Sequence, residues 1–279
     1  MRRAVNVAVL FLIALVVGAI IFPTILRARE AANRTHCANN LRQMGLATHN
    51  FHDTYGRCPN ATVRCPALAP EERLSWYVDL APFVEQWGME FDKNKVWNCP
   101  ENLNPKCHGV DTPVTDLGVI GYHLCPSNPQ KSDEIPNQTH YVGISGLGED
   151  AAELGKDYPG VGILGYDRKV KFEDITDGTS TTMLVAETAW KNGPWTAGGF
   201  PTARGLLSNG LPYLGKDGQF TSVHRTGGIF SSGSMVTNVL FADGSVRPLG
   251  ESVDAKTFEA LATIAGGETV NLPDLESCR

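Results

Sequence analysis

Beyond Arg34 the chain has no cluster of basic residues, and over its 279 residues the formal net charge is −6. A protein that grips nucleic acid needs a positive patch or stripe, so this composition argues against nucleic acid as a partner. There is no internal repeat, which excludes the stacked-repeat architectures. One stretch lacks charge altogether. From Val5 to Leu26, in VNVAVLFLIALVVGAIIFPTIL, only Asn6 and Thr24 are clearly polar. About 20 apolar residues at 1.5 Å each match the hydrocarbon core of a bilayer. A cleaved signal peptide has a shorter apolar region, about 7–15 residues, closed by a small-residue site of the A-x-A kind. That site is missing too, because Arg27 and Arg29 follow directly. The run therefore reads as a retained anchor, residues 1–26, with Pro23 near its outer end where a kink is best tolerated.

What is present beyond the anchor is a folded, loop-rich head. Gly (29) and Pro (17) are frequent, but 42% of residues are apolar, too many for a disordered chain. Arginines flank the anchor on both sides, so charge bias does not set its orientation. The seven cysteines bear on it: Cys37, Cys58, Cys65, Cys99, Cys107, Cys125 and Cys278 all follow the anchor. Two short brackets, CPNATVRC (Cys58 and Cys65) and CPENLNPKC (Cys99 and Cys107), read as local disulfide staples. Such staples suit an oxidising compartment. The expected topology is a single pass through a bacterial inner membrane, with a cytoplasmic amino terminus and a periplasmic head.

Helical periodicity continues past the anchor. Ala31, Cys37, Leu41, Met44, Ala47 and Phe51 recur at helical steps, leaving Arg34, Asn39, Asn40, Arg42 and Gln43 on the other face. One helix thus runs from about Val5 to Asp53, residues 27–55 forming its polar half, until Gly56 and Pro59 stop it. The head then spans residues 56–279. LSWYVDLAPFVEQWGMEFD is a second amphipathic element broken at Pro82, VIGYHLCPSNP a short strand entering a turn, and HYVGISG another strand. TTMLVAE follows a D-G turn as a buried strand, and TNVLFADGSVRPL is a hairpin about Asp243-Gly244. SVDAKTFEALATIAGG closes as a helix, with Ser252 as its cap and Gly266-Gly267 as its stop. Helix first and antiparallel sheet later make an α+β class.

Two chemical constellations can be named from residue types alone. His49 and His52 are three apart on the helix and, with His36, Cys37 and Cys58, could hold zinc. The plainer reading makes them polar helix residues near a turn. Ser245, His224 and Asp243 are the parts of a serine triad, but a hairpin turn is a poor nucleophile elbow, and no enzymatic activity is expected. N-x-T sequons occur at Asn33, Asn60 and Asn137 and carry little weight.

Several blocks together resemble one family. FPTILRAREAANRTHCANNLRQMGLATHNFHDTYGRCP, LSWYVDLAPFVEQ, LCPSNP, ITDGTSTTMLVAE, NVLFADGSVRPL and TFEALATIAGGETV occur in order over nearly the whole chain. They are similar to the bacterial prepilin-like family catalogued as domain of unknown function 1559, including its C-x-N-N-L-[KR]-Q segment at Cys37, Asn39 and Asn40. The resemblance implies a long helix anchoring a pilin- or pseudopilin-like head. That would be a structural subunit of an envelope filament or secretion-type pseudopilus, able to associate with itself or with other pilin-like subunits. It also implies a closing motif of a histidine before D-G, here His224 with Asp243 and Gly244, although nineteen residues separate His224 from Asp243. A Cys37–Cys125 bridge is implied as well, since both positions belong to cysteine-bearing motifs of the family; Cys278 would be left over. Major pseudopilins bind calcium in carboxy-terminal loops, and Asp174, Asp177 and Thr179 could supply oxygens here.

The chain departs from prepilins at its start. Aligned on Pro23, Asn6 occupies the place of the usual glutamate and Met1-Arg2 that of the cleavage point, so an unprocessed amino terminus is expected. The alternative reading is a tethered, non-polymerising binding module. Topology is open to direct test: a reporter active only in the periplasm, fused after Gly146, should give signal, whereas signal from a cytoplasm-only reporter at that point would reverse the orientation.

Overall fold

The computed structural model describes residues 2–84, 88–107, 121–128, 137–208, 210–225, 233–268 and 270. Cys278 and residues 119–120 lie outside them. Helix α1, Arg2–Tyr55, is continuous for 54 residues, about 80 Å at 1.5 Å per residue, with Pro23 inside it. Among its described side chains, the first half shows apolar groups to the outside on every face, including Leu10, Phe11, Ile13, Phe22 and Ile25. This one amino-terminal helix is long and apolar enough to cross a membrane. From Cys37 onward a stripe of Cys37, Leu41, Met44, Ala47 and Phe51 is buried, following the three- and four-residue steps of one helix face.

That stripe lies on a five-stranded sheet of order β5-β3-β4-β6-β7, made of β3 (Tyr141–Leu147), β4 (Met183–Glu187), β5 (Ala203–Leu206), β6 (Val236–Phe241) and β7 (Val246–Gly250). The sheet is mixed rather than antiparallel throughout. β5 joins the edge parallel to β3, with Gly143 opposite Ala203. The sequence TARGLL gives no period-2 pattern to announce it, because a strand buried on both faces need not alternate. Sheet residues divide between two cores. Tyr141, Leu184 and Leu240 pack on the α1 side. Val142, Ile144, Met183, Val239 and Phe241 pack on the other, beneath Phe258 of α4 (Ala255–Ala260). This last helix is shorter than the 252–267 expected, and its cap is Asp254, which accepts from the Thr257 amide.

Two expected staples do not form. Cys58 and Cys65 are both buried free thiols, and Cys99 is free. The 58–65 segment is held by hydrogen bonds along its length, with the amides of Cys58, Ala61 and Val63 donating to Val170, Gly165 and Leu74 in turn. A segment bonded outward in this way does not fold its ends together. Burial, followed by the nearby Asp174 charge, pushes the Cys58 thiol up to about 12, so it is an inert core group. The loop around Cys99 is stapled by an asparagine instead. Asn102 accepts from the Asp92 amide and donates to the carbonyls of Asp92 and Val96. This loop also carries α3 (Pro100–Leu103) and a small ribbon of β1 (Met89–Glu90) with β2 (Lys106–Cys107). Helix α2, Trp76–Leu80, ends before Pro82 as expected. Of the segment expected to carry a short strand into a turn, residues 121–128 are described, and they form turns with no strand among them.

The β6–β7 hairpin turns through Ala242-Asp243-Gly244, one residue longer than a two-residue primed turn. The Phe241 amide donates to Ser245 O at 2.9 Å, and the Gly244 amide to Phe241 O. Gly244 takes φ +83°, the left-handed position that ends such a three-residue loop. A Cβ there would meet nothing closer than His49 at 3.7 Å, so the penalty for a side chain is conformational rather than steric. Gly244→Val should lower unfolding free energy by about 1–2 kcal/mol in a denaturant titration, and Gly244→Asn by distinctly less; equal losses would contradict the positive φ.

Candidate functional site

Where α1 emerges onto the head, side chains from four chain segments converge. The helix contributes Glu30, Cys37 and Asn40. Cys37 and Asn40 are three residues apart and so share a face. The turn at 121–128 lies over that face. Cys125 in it is bonded to Cys37, 88 positions earlier in the sequence, with Cα atoms 5.1 Å apart. The Asn40 amide donates to the carbonyls of Gly121 and Leu124, at 3.2 and 2.9 Å, and to Tyr141 Oη. Ser127 Oγ donates to Glu30 Oε2 at 2.7 Å. The C-x-N-N segment therefore acts as a two-part clamp on one turn, covalent through Cys37 and polar through Asn40. Asn39 is exposed and accepts from Arg42 at 2.7 Å.

His224 fills the space beneath this clamp. Its Nδ1 lies 2.7 Å from Glu30 Oε1, and its Nε2 lies 3.1 Å from Glu187 Oε1 and 3.3 Å from Cys125 Sγ. His224 and Glu187 are wholly buried, whereas the Glu30 side chain keeps 38% of its surface. Glu187 ends β4, and its Oε2 accepts from Asn238 of β6 at 2.9 Å. A buried carboxylate is expensive unless paired, and His224 is the paired cation. Burial alone pulls its imidazolium down. The hydrogen bond and charge of Glu187, joined by those of Glu30, outweigh that, and the net direction is upward. With a carboxylate at each ring nitrogen, the imidazolium is the form this geometry favours. Behind Cys125, its amide donates to His140 Nδ1 at 3.0 Å.

The other residues singled out from sequence lie elsewhere. Asp243 and Ser245 sit in the hairpin turn, which packs on the helix at Gly45 and His49. Fifteen residues of helix separate Gly45 from Glu30, about 22 Å, so the serine triad is not assembled. His49 Nε2 contacts Ala242 O at 3.0 Å, and both His49 and His52 stack on Phe172. They are docking groups, and His36 is exposed. Asp174 pairs with Lys156 at 2.8 Å and accepts from the Lys171 amide, while Asp177 accepts from the Gly266 and Gly267 amides and from Thr263. The carbonyl of Thr179 accepts from the Asp243 amide. Each of these oxygens is engaged in a separate local bond.

His224 was named from sequence; its partners Glu30 and Glu187 were not. Glu187 carried a signal, as the single acid closing the otherwise apolar run TMLVA, and Glu30 is the one acid in RAREAANR. The model of one family, described as protein of unknown function DUF1559 and labelled SBP_bac_10, matches residues 27–256. The chain belongs to that family. Its matched region begins where the apolar run ends, and it contains every residue of the clamp. No curated protein and no solved structure matches the chain.

The direction of the His224 shift sets a pH dependence. Its folded value lies above the value of an unfolded histidine, so its stabilising contribution is complete below about 6.5. That contribution is lost as pH rises through the raised folded value. The groups facing the ring are Glu30, Glu187 and the disulfide. The melting temperature of the DUF1559 head should therefore fall from mildly acid to mildly alkaline pH, and the fall should flatten in His224→Gln. That variant should also be less stable by about 3–5 kcal/mol, because Glu187 is left buried without its cation; a pH slope unchanged by the substitution would rule out this role.

Proposed function

We propose that the protein is a membrane-anchored structural subunit of the bacterial cell envelope, of the pilin or pseudopilin kind. Residues 1–26 would cross the inner membrane, 27–55 would form the stalk, and 56–279 the extracytoplasmic head. The observation that supports this is the division of one uninterrupted helix. Among the described side chains, its first half exposes apolar groups on every face, as a segment meant for lipid or for other helices does. Its second half is bound to the head by a disulfide, a buried ion-paired imidazole and an asparagine. The disulfide closes an 88-residue separation, worth about 4–5 kcal/mol in the chain-entropy account. A tie of that strength suits a part that must transmit force between anchor and head. It is also now the cysteine pairing on which an oxidising compartment rests, the two local staples having proved absent.

A tethered binding module is the competing reading, and assembly state separates the two. Membranes carrying the intact protein should retain it through an alkaline carbonate wash. After extraction in mild detergent, intact-mass determination with sedimentation should find one chain mass in a multimer. A monomer at all accessible concentrations, with no in-membrane crosslinks from cysteines placed at Leu15 or Phe22, would favour the binding module and reject the structural subunit.

A further inference from the structure

The clamp holds more donor atoms than a disulfide junction needs. The two cysteine sulfurs, a Glu187 oxygen and a His224 ring nitrogen all lie within 4.8 Å of one another. All four residues are 0% exposed. As a disulfide the sulfurs are not metal ligands, since zinc takes thiolates. We propose that the reduced form of this junction binds one zinc ion in a closed Cys37-Cys125-His224-Glu187 site, the metal then holding helix, turn and sheet together where the disulfide joins helix to turn in the oxidised form.

Three features of the geometry carry this. First, the spacing is already close to that of a tetrahedral site. Zinc bonds of about 2.0–2.3 Å place ligand atoms roughly 3.3–3.8 Å apart, and His224 Nε2 stands 3.3 Å from Cys125 Sγ and 3.1 Å from Glu187 Oε1. Second, the outer atoms of both non-sulfur ligands are held by partners. Nδ1 of His224 faces Glu30 at 2.7 Å, and Oε2 of Glu187 accepts from Asn238, so Nε2 and Oε1 are the atoms left to face the sulfurs. A carboxylate behind a histidine is how metal-bound imidazoles are usually oriented. Third, Glu187 Oε1 is buried and, beyond the His224 Nε2 that it faces at 3.1 Å, has no hydrogen-bond partner among the described residues. An acceptor with unused capacity is thus aimed at the same point as the two sulfurs. Four buried protein ligands leave no open coordination position, so the site would be structural rather than catalytic.

The chemistry balances with a dithiol as reductant. The Cys37–Cys125 bond breaks as two electrons pass from the dithiol, which closes to its own disulfide, and its two protons end on the cysteine sulfurs. Zinc then forms two Zn–S bonds, one Zn–N and one Zn–O, releasing the two thiol protons and the Nε2 proton of His224. Exchange of the two thiolates with a disulfide oxidant, which takes up two electrons and two protons to become its dithiol, would restore the Cys37–Cys125 bridge and release the ion.

The test uses the full chain produced in a reducing cytosol and purified without oxygen in detergent, with cobalt(II) as the probe. The reduced protein should bind one cobalt, with a thiolate-to-cobalt charge-transfer band and the visible bands of a tetrahedral ion; zinc should displace it, and the oxidised protein should bind none. Cys58→Ser and Cys65→Ser should leave the spectrum unchanged, while Cys37→Ser should abolish the charge-transfer pattern of two thiolates. Glu30→Gln, which reaches the four ligands only through the far ring nitrogen of His224, should weaken zinc by about 10- to 100-fold with the spectrum retained. Because Cys37→Ser could also disturb folding, alkylation of the unmodified reduced chain gives an independent reading: zinc should protect Cys37 and Cys125 but not Cys99. Absence of cobalt binding, equal binding by the oxidised protein, or protection confined to other cysteines would overturn the site.

Discussion

A carboxylate that ends a central strand and sees no water constrains everything around it. Glu187 lies on the sheet face toward α1, and the head can close over it only if a cation arrives at the same place. That cation is His224, and the histidine in turn requires a second carboxylate at its other nitrogen, which the helix provides through Glu30. Sheet, carboxy-terminal segment and helix thus come together around one charge problem. The disulfide and Asn40 secure the turn that roofs it. Removing any one member would leave another buried and unsatisfied, which is why such networks behave as units.

How much of this could be read from the residues depends on the kind of signal each element carries. The long helix announced itself twice, by an uncharged run and then by a three-four period. The hairpin announced itself by D-G between apolar strands. Those are local signals, and they agree with the structure to within about three residues. The parallel edge strand β5 carried none, because both its faces are covered and its pairing partner β3 lies some sixty residues away. The two cysteine brackets misled because nearness in sequence was taken for nearness in space. In each, ordinary hydrogen bonds hold the loop, and Cys58, Cys65 and Cys99 stay free thiols.

The centre was visible in part. Cys37, Asn40, Cys125 and His224 stood out through the motifs they belong to, and the Cys37–Cys125 pairing followed from the resemblance. Glu30 and Glu187 did not, since a single acid in a polar helix or at the end of a strand is common and only three-dimensional convergence gives it meaning. Asp243 and Gly244, grouped with His224 by motif, serve a separate purpose: they form the turn that docks further along the helix.

The seat of that turn has a mechanical consequence. At Gly45 a single added carbon would come within 2.9 Å of Leu240 and 3.3 Å of the Gly244 backbone, so helix and hairpin touch almost backbone to backbone. Contact so close resists rolling of the helix about its own axis, and the clamp near Cys37, two turns away, resists sliding along it. The azimuth of the helix relative to the head is therefore set at two separated points. Because α1 runs on unbroken, that azimuth is inherited by the apolar half, with Pro23, which lacks an amide donor, the natural place for it to yield. Whatever surrounds the first half of the helix meets a head whose facing is already chosen, as a weathervane's is by its spindle.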